Sequence, residues 1–154
     1  MMHEIRDFMA NDHRACDDLL NAVEQAVVRG AWELARVEFA RFRDAVLKHF
    51  AAEESILFPL FEQCTGMYLG PTQVMRAEHL QMRQLLGAAE TALTESAAED
   101  YAGNAETLLI MMQQHNIKEE NVLYPMCDQR LAAQLDTLLP ELRKQLAEHE
   151  RTAT

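Results

Sequence analysis

Four histidines and two glutamates stand at intervals that would let them assemble a metal cage. His49 precedes Glu53 by four residues in the stretch HFAAEESILFP, and His115 precedes Glu119 by four in HNIKEENVLYP. On an α-helix that interval stacks the two side chains on one face, one turn apart. The two stretches are offset by 66 residues, as are their closing prolines, Pro59 and Pro125. His13 and His79 share the same offset, and each follows an acid, Asp12 or Glu78. Both halves therefore have one pattern: a histidine, then 36 residues on a second histidine, then a glutamate four residues later.

A lone histidine in an apolar helical stripe is more often a hydrogen-bonded core residue than a ligand, and a His-xxx-Glu pair is often a surface ion pair. The glutamates tip the balance. Both fall on the apolar stripes of their helices, where an unpaired carboxylate is costly, and two of them facing across a core repel. A cation between them removes both penalties, and the four imidazoles complete a cage. Six donors are too many for one tetrahedral zinc, and no thiolate belongs to the set. Calcium or magnesium would not recruit four imidazoles. Mixed imidazole and carboxylate donors suit iron or manganese, and two bridging carboxylates suit a pair of ions. Two imidazoles, two carboxylate oxygens and a solvent-derived oxo or hydroxo bridge give each ion five donors. An octahedral ion then keeps one position for a small diatomic or peroxide ligand.

The elements that must position these residues follow from period and punctuation. From Met2 to about Val28, Ile5, Met9, His13, Cys16, Leu20 and Val23 recur at helical spacing, and Gly30 is the stop signal. A second helix is expected from about Ala31 to Gln63, its inward stripe reading Phe42, Val46, His49, Glu53, Ile56 and Leu60, with Pro59 kinking or widening it. The break GMYLGP at 66–71 divides the halves. A third helix opens at or just after Thr72, with Met75, His79, Met82, Leu86 and Leu93 inward. After a polar turn at 94–100, a fourth runs from about Tyr101 to Met126 with Leu108, Met112, His115, Glu119, Val122 and Met126 inward. An amphipathic segment from about Gln129 to Glu148, containing Pro140, is expected to pack across the bundle or against a partner. The fold class is thus all-α: an up-down-up-down antiparallel four-helix bundle with an additional C-terminal helical segment, made of two αα-hairpins related by an approximate two-fold axis. Residues 1–154 are read as one domain.

Composition narrows the partners. Net charge is −11 with no Lys/Arg-rich run, so neither nucleic acid nor an anionic membrane is an expected partner. No apolar run is long enough for a membrane span, and the N-terminus MMHEIRDFMANDH lacks the apolar core of a signal peptide. Cys16, Cys64 and Cys127, odd in number and without a CxxC, read as free thiols in a reducing cytoplasm.

The residues His13, His49-xxx-Glu53, His79 and His115-xxx-Glu119, with the LFP and LYP tails at 57–59 and 123–125, resemble the hemerythrin-like HHE cation-binding family over roughly residues 3–126. The resemblance implies that all six residues are ligands of a non-haem di-iron centre, two iron ions bridged by Glu53 and Glu119. It also shows two departures from the oxygen-carrying hemerythrins. Those have a fifth histidine where this chain has Arg83, and an aspartate five residues after the fourth-helix histidine where this chain has Glu119 at four. The pattern is closer to di-iron proteins associated with repair of iron-sulfur centres after nitric oxide or oxidative stress. The ferritin-like bundle, whose metal motif is Glu-x-x-His, is rejected because order, spacing and carboxylate count all differ.

Three functions are weighed. The first is binding, sensing or reduction of a small oxidant (dioxygen, nitric oxide or peroxide), which leaves a di-iron oxidoreductase activity open. The second is storage or delivery of iron to a protein partner, and the third a structural ion. A homodimer is also left open. Arg83 either reaches the edge of the site to balance a carboxylate or extends to solvent. Asp12 and Glu78, rotated about 100° from the histidines they precede, are expected to face solvent, the alternative being to accept from imidazoles on adjacent helices. Glu54 and Glu120 are read as surface or interface charges and Tyr124 as a packing residue. His3 and His149 are assigned no role.

Overall fold

In the computed structural model the backbone is described for residues 3–152 and the side chains for residues 3–147. The expected helix start at Met2, and the side chains of Glu148 and His149, lie outside the described residues. Among the described residues the chain is a helical bundle without strands.

Helix α1 spans Glu4–Val28, and every member of its expected stripe, His13 included, is buried. Gly30 reverses the chain with φ +69°, a conformation open to glycine at little cost. Helix α2, Trp32–Ala52, runs without a break through a π-helical turn, Glu53–Leu57, into α3, Phe58–Thr65. Gly66, left-handed at φ +72°, ends α3, and α4 opens on Pro71 and runs to Thr94. Helix α5, Ala98–Lys118, passes through a second π-helical turn, Glu119–Leu123, into α6, Tyr124–Arg130. A 3₁₀ turn, Ala132–Gln134, leads to α7, Leu135–Thr152. The polar turn between the third and fourth long helices is shorter than 94–100, because α4 keeps Thr94 and α5 begins at Ala98.

Of the kink or widening expected at Pro59, the widening is what occurs, and its twin precedes Pro125. Proline has no N–H and its ring crowds the carbonyl four residues back. The preceding residue therefore bonds one step further away: the Phe58 N–H reaches the Glu53 carbonyl, and the Tyr124 N–H reaches the Glu119 carbonyl. Each turn takes up one extra residue, and this corrects the sequence-derived stripe. Ile56 and Leu60 are only half-buried, and the inward positions belong to Leu57, Phe58 and Phe61. Val122 is 53% exposed and Met126 half-buried, while Leu123, Tyr124 and Cys127 are buried.

Apolar packing falls into two layers. One holds Cys16, Leu20, Phe39, Phe42, Phe50, Met82, Leu86, Leu108 and Met112. The other holds Ile5, Met9, Leu57, Phe58, Phe61, Met75, Leu123, Cys127, Leu138 and Leu142. Helix α7 contributes the last two, so the C-terminal segment does pack across the bundle. Along α1, α2, α4 and α5 the four stripe histidines lie between residues of the first layer and residues of the second. Pairs between helices form two ladders: α1 meets α5, the second π-helical turn and α6 through Glu24–Tyr101, His13–Glu120 and Ile5–Asp128, and α2–α3 meet α4 through Arg36–Leu93, Arg43–Glu90, Glu54–His79 and Glu62–Thr72. No described helix is long and apolar enough to cross a membrane.

Candidate metal centre

All six predicted residues come together in the gap between the two layers. His13 comes from α1, His49 from α2, His79 from α4 and His115 from α5, and Glu53 and Glu119 each open a π-helical turn. Both glutamates are 0% exposed, and the four histidines are buried. Every imidazole turns its Nε2 toward a carboxylate. His13 and His115 stand 3.2 and 3.3 Å from Glu119 Oε1. His79 and His49 stand 3.1 and 3.7 Å from Glu53 Oε1. One ligand atom from each of Glu53, His79, His115 and Glu119 fits within a 4.8 Å span, and so does one from each of His13, His49 and Glu119. The two donor groups overlap at Glu119.

The opposite nitrogen of each ring is also held. His13 Nδ1 pairs with Glu120 Oε2 at 2.8 Å, His49 Nδ1 with Asp12 Oδ2 at 2.7 Å, His79 Nδ1 with Glu54 Oε2 at 2.7 Å, and His115 Nδ1 with Glu78 Oε1 at 2.8 Å. For Asp12 and Glu78 this decides for the alternative, accepting from imidazoles on adjacent helices, and for Glu54 and Glu120 it replaces the surface or interface reading. The rotation of Asp12 away from His13 is real, but it carries the carboxylate to the imidazole of the neighbouring helix. The four pairs map onto one another under the 66-residue offset, so the repeat extends to the imidazole partners. A carboxylate on Nδ1 fixes that nitrogen as the donor and leaves Nε2 as a lone-pair ligand of raised basicity.

The two halves differ in their cations. Arg83 grips Glu54 with both amino nitrogens, at 3.0 and 2.8 Å, and its guanidinium lies over the Phe50 ring, which decides for a place at the edge of the site. Lys118 pairs with Glu78. Among the described residues no Lys or Arg nitrogen lies within 4.0 Å of Asp12 or Glu120.

Tyr124 corrects a further expectation. Its ring is buried, but its hydroxyl enters the cage, 2.7 Å from Glu53 Oε2, 2.9 Å from Glu119 Oε1, 3.2 Å from His49 Nε2 and 3.3 Å from His13 Nε2. In an α-helix, positions 119 and 124 would be about 140° apart. The π-helical turn brings them onto one face.

The electrostatics are those of a cation site. Burial first, then the facing Glu119 carboxylate, pushes Glu53 upward. Glu119 is driven up by burial as well, yet the adjoining Glu53, His115 and His13 side chains hold it well below the usual carboxylate range. Burial would depress His49, but Glu53, Asp12 and Glu119 lift it to about 9. Burial and the two glutamates push the Tyr124 phenol up. Four buried polar atoms of the cage, Glu53 Oε1, His79 Nε2, His115 Nε2 and Glu119 Oε2, have no hydrogen-bond partner. Buried polar atoms are normally satisfied, and these four converge from four helical segments on one point. Their mixture of imidazole and carboxylate, with no thiol, fits iron. Cys16 and Cys127 are buried, burial raises both thiols, and Cys64 is exposed elsewhere.

A sequence model of the hemerythrin HHE cation binding domain matches residues 4–127. The chain belongs to that family, and the matched span contains all six cage residues. Comparison with curated proteins and with solved structures returned no match.

Proposed function

We propose that this chain holds two non-haem iron ions, one on His13 and His49 and one on His79 and His115, with Glu53 and Glu119 shared between them, and that it binds, senses or reduces a small oxidant: dioxygen, nitric oxide or peroxide. The observation that carries the reading is the pair of buried donor groups that overlap at Glu119. An iron pair supplies electrons and an accepting site for a small uncharged ligand. The chain's own part is to aim the donors, through Asp12, Glu54, Glu78 and Glu120, and to keep bulk water out, through the two apolar layers. Phe50 stacks on His79 with ring centroids 3.9 Å apart and holds that imidazole in plane. The helix-to-helix ladders, in which residue numbers rise on one member as they fall on the other, support the up-down-up-down antiparallel order as well.

Metal analysis after anaerobic Fe(II) loading should give two irons per chain. Stopped-flow mixing of the reduced protein with each oxidant should change the visible spectrum with at least one. Unchanged spectra with all three would remove the oxidant reading and leave iron delivery or a structural ion.

A further inference from the structure

We infer that Tyr124 is a fifth protein ligand, completing the donor set of the ion on His13 and His49 and leaving the exchangeable position on the His79–His115 ion. This rests on the two-ion reading above.

The geometry is that of a coordination vertex. Around an octahedral ion with bonds of about 2.1 Å, each donor has four neighbours roughly 3.0 Å away. The Tyr124 oxygen has four such neighbours, His13 Nε2, His49 Nε2, Glu53 Oε2 and Glu119 Oε1, at 2.7–3.3 Å. As a plain hydrogen-bonding group it is over-committed. A phenol has one proton to donate, and it faces two carboxylates and two imidazole nitrogens at once. A cation amid these donors makes the crowd of lone pairs favourable.

The matched position in the other half is Phe58. Its ring lies beside His79, centroids 5.9 Å apart, and carries no oxygen. The two ions are therefore inequivalent. With two imidazoles, two carboxylate oxygens, the phenol oxygen and a bridging solvent oxygen, the first ion is full. The second has five donors and one position free. Binding converts the phenol to phenolate, and its proton leaves to solvent as ligand protons do on metal binding.

The test is spectroscopic. Wild type and Tyr124→Phe are loaded anaerobically with two equivalents of Fe(II), assayed for iron, and oxidised with ferricyanide. Wild type should develop a visible phenolate-to-iron charge-transfer band, with resonance Raman modes that shift when the protein carries ring-deuterated tyrosine. Tyr124→Phe should lack the band and modes while retaining iron. Before oxidation, nitric oxide should saturate at one per two irons in wild type and at two in Tyr124→Phe. The labelled wild-type spectrum stands even if the variant folds poorly. Two irons without tyrosinate modes in wild type would overturn the assignment and leave the two-ion reading intact. Failure to load iron at all would sink both.

Discussion

Removing the imidazole partners one at a time measures how far they, and not only the ligands, hold the metal. Glu54→Gln and Glu78→Gln act on His79 and His115, and Asp12→Asn and Glu120→Gln act on His49 and His13. Loss of such a partner weakens metal binding by about 10–100-fold, or about 1.4–2.7 kcal/mol. The structure ranks the four. Glu54 and Glu78 each neutralise a cation, Arg83 or Lys118, so their loss also leaves an unpaired positive charge beside a metal ion. Those two belong near 100-fold, and Asp12→Asn and Glu120→Gln near 10-fold. The assay is anaerobic competition for Fe(II) against a chromophoric chelator. Metal-free melting temperatures are the control: the four side chains are 19–34% exposed, so their pairs are worth about 1 kcal/mol or less, about 2–4 °C for a chain of this size. Wild-type affinity in all four variants, or the reverse ranking, would refute the argument.

Other outcomes follow from the same geometry. Stripping the metal with a chelator should lower the melting temperature, because a ligand at 1,000 times its dissociation constant stabilises by about 4 kcal/mol, roughly 8–16 °C here; calorimetry with and without chelator reads this directly. The one-residue shift of the inward stripe predicts opposite behaviour at adjacent positions. Leu123→Ala should cost about 2–5 kcal/mol in a denaturant melt and Val122→Ala under about 1, since only the first is buried. Burial, then Glu24, raises the Tyr101 phenol, so the native state keeps a proton that the unfolded chain gives up near its ordinary value of about 10. The stability this group contributes is complete below that value and falls as pH rises past it. Tyr101→Phe should therefore lose less stability than wild type in an alkaline melt.

What could be read from the sequence was whatever repeats at helical spacing. The buried stripes of α1, α4 and the first parts of α2 and α5, and the convergence of the six cage residues, follow from periods of three and four and from the 66-residue offset. The stripe fails beyond Glu53 and Glu119, where the helix no longer has 3.6 residues per turn. The prolines marked the places, but a kink and an extra residue have different consequences for everything downstream, and only the second puts Leu57 and Leu123 inside. Tyr124 escaped for the same reason, since its distance of five from Glu119 is off-face in the periodicity that found the histidines. The carboxylates on Nδ1 were hidden differently. Their partners lie on other helices, and no interval along one helix reports a contact across the bundle, although the acids preceding His13 and His79 at one offset were a visible hint.

Enclosure between two apolar layers also governs how the centre is filled. The cage residues are at most 6% exposed in the closed fold, so a hydrated ion arriving from outside would reach them only while neighbouring helices are parted. Occupancy is then set by how often that opening occurs and how long it lasts, and the same motion limits escape. A small neutral gas would need no such parting if it can pass between side chains that a hydrated cation cannot cross. On the function proposed above, the bundle would act as a sieve with two speeds: slow for a metal ion, fast for a small neutral ligand.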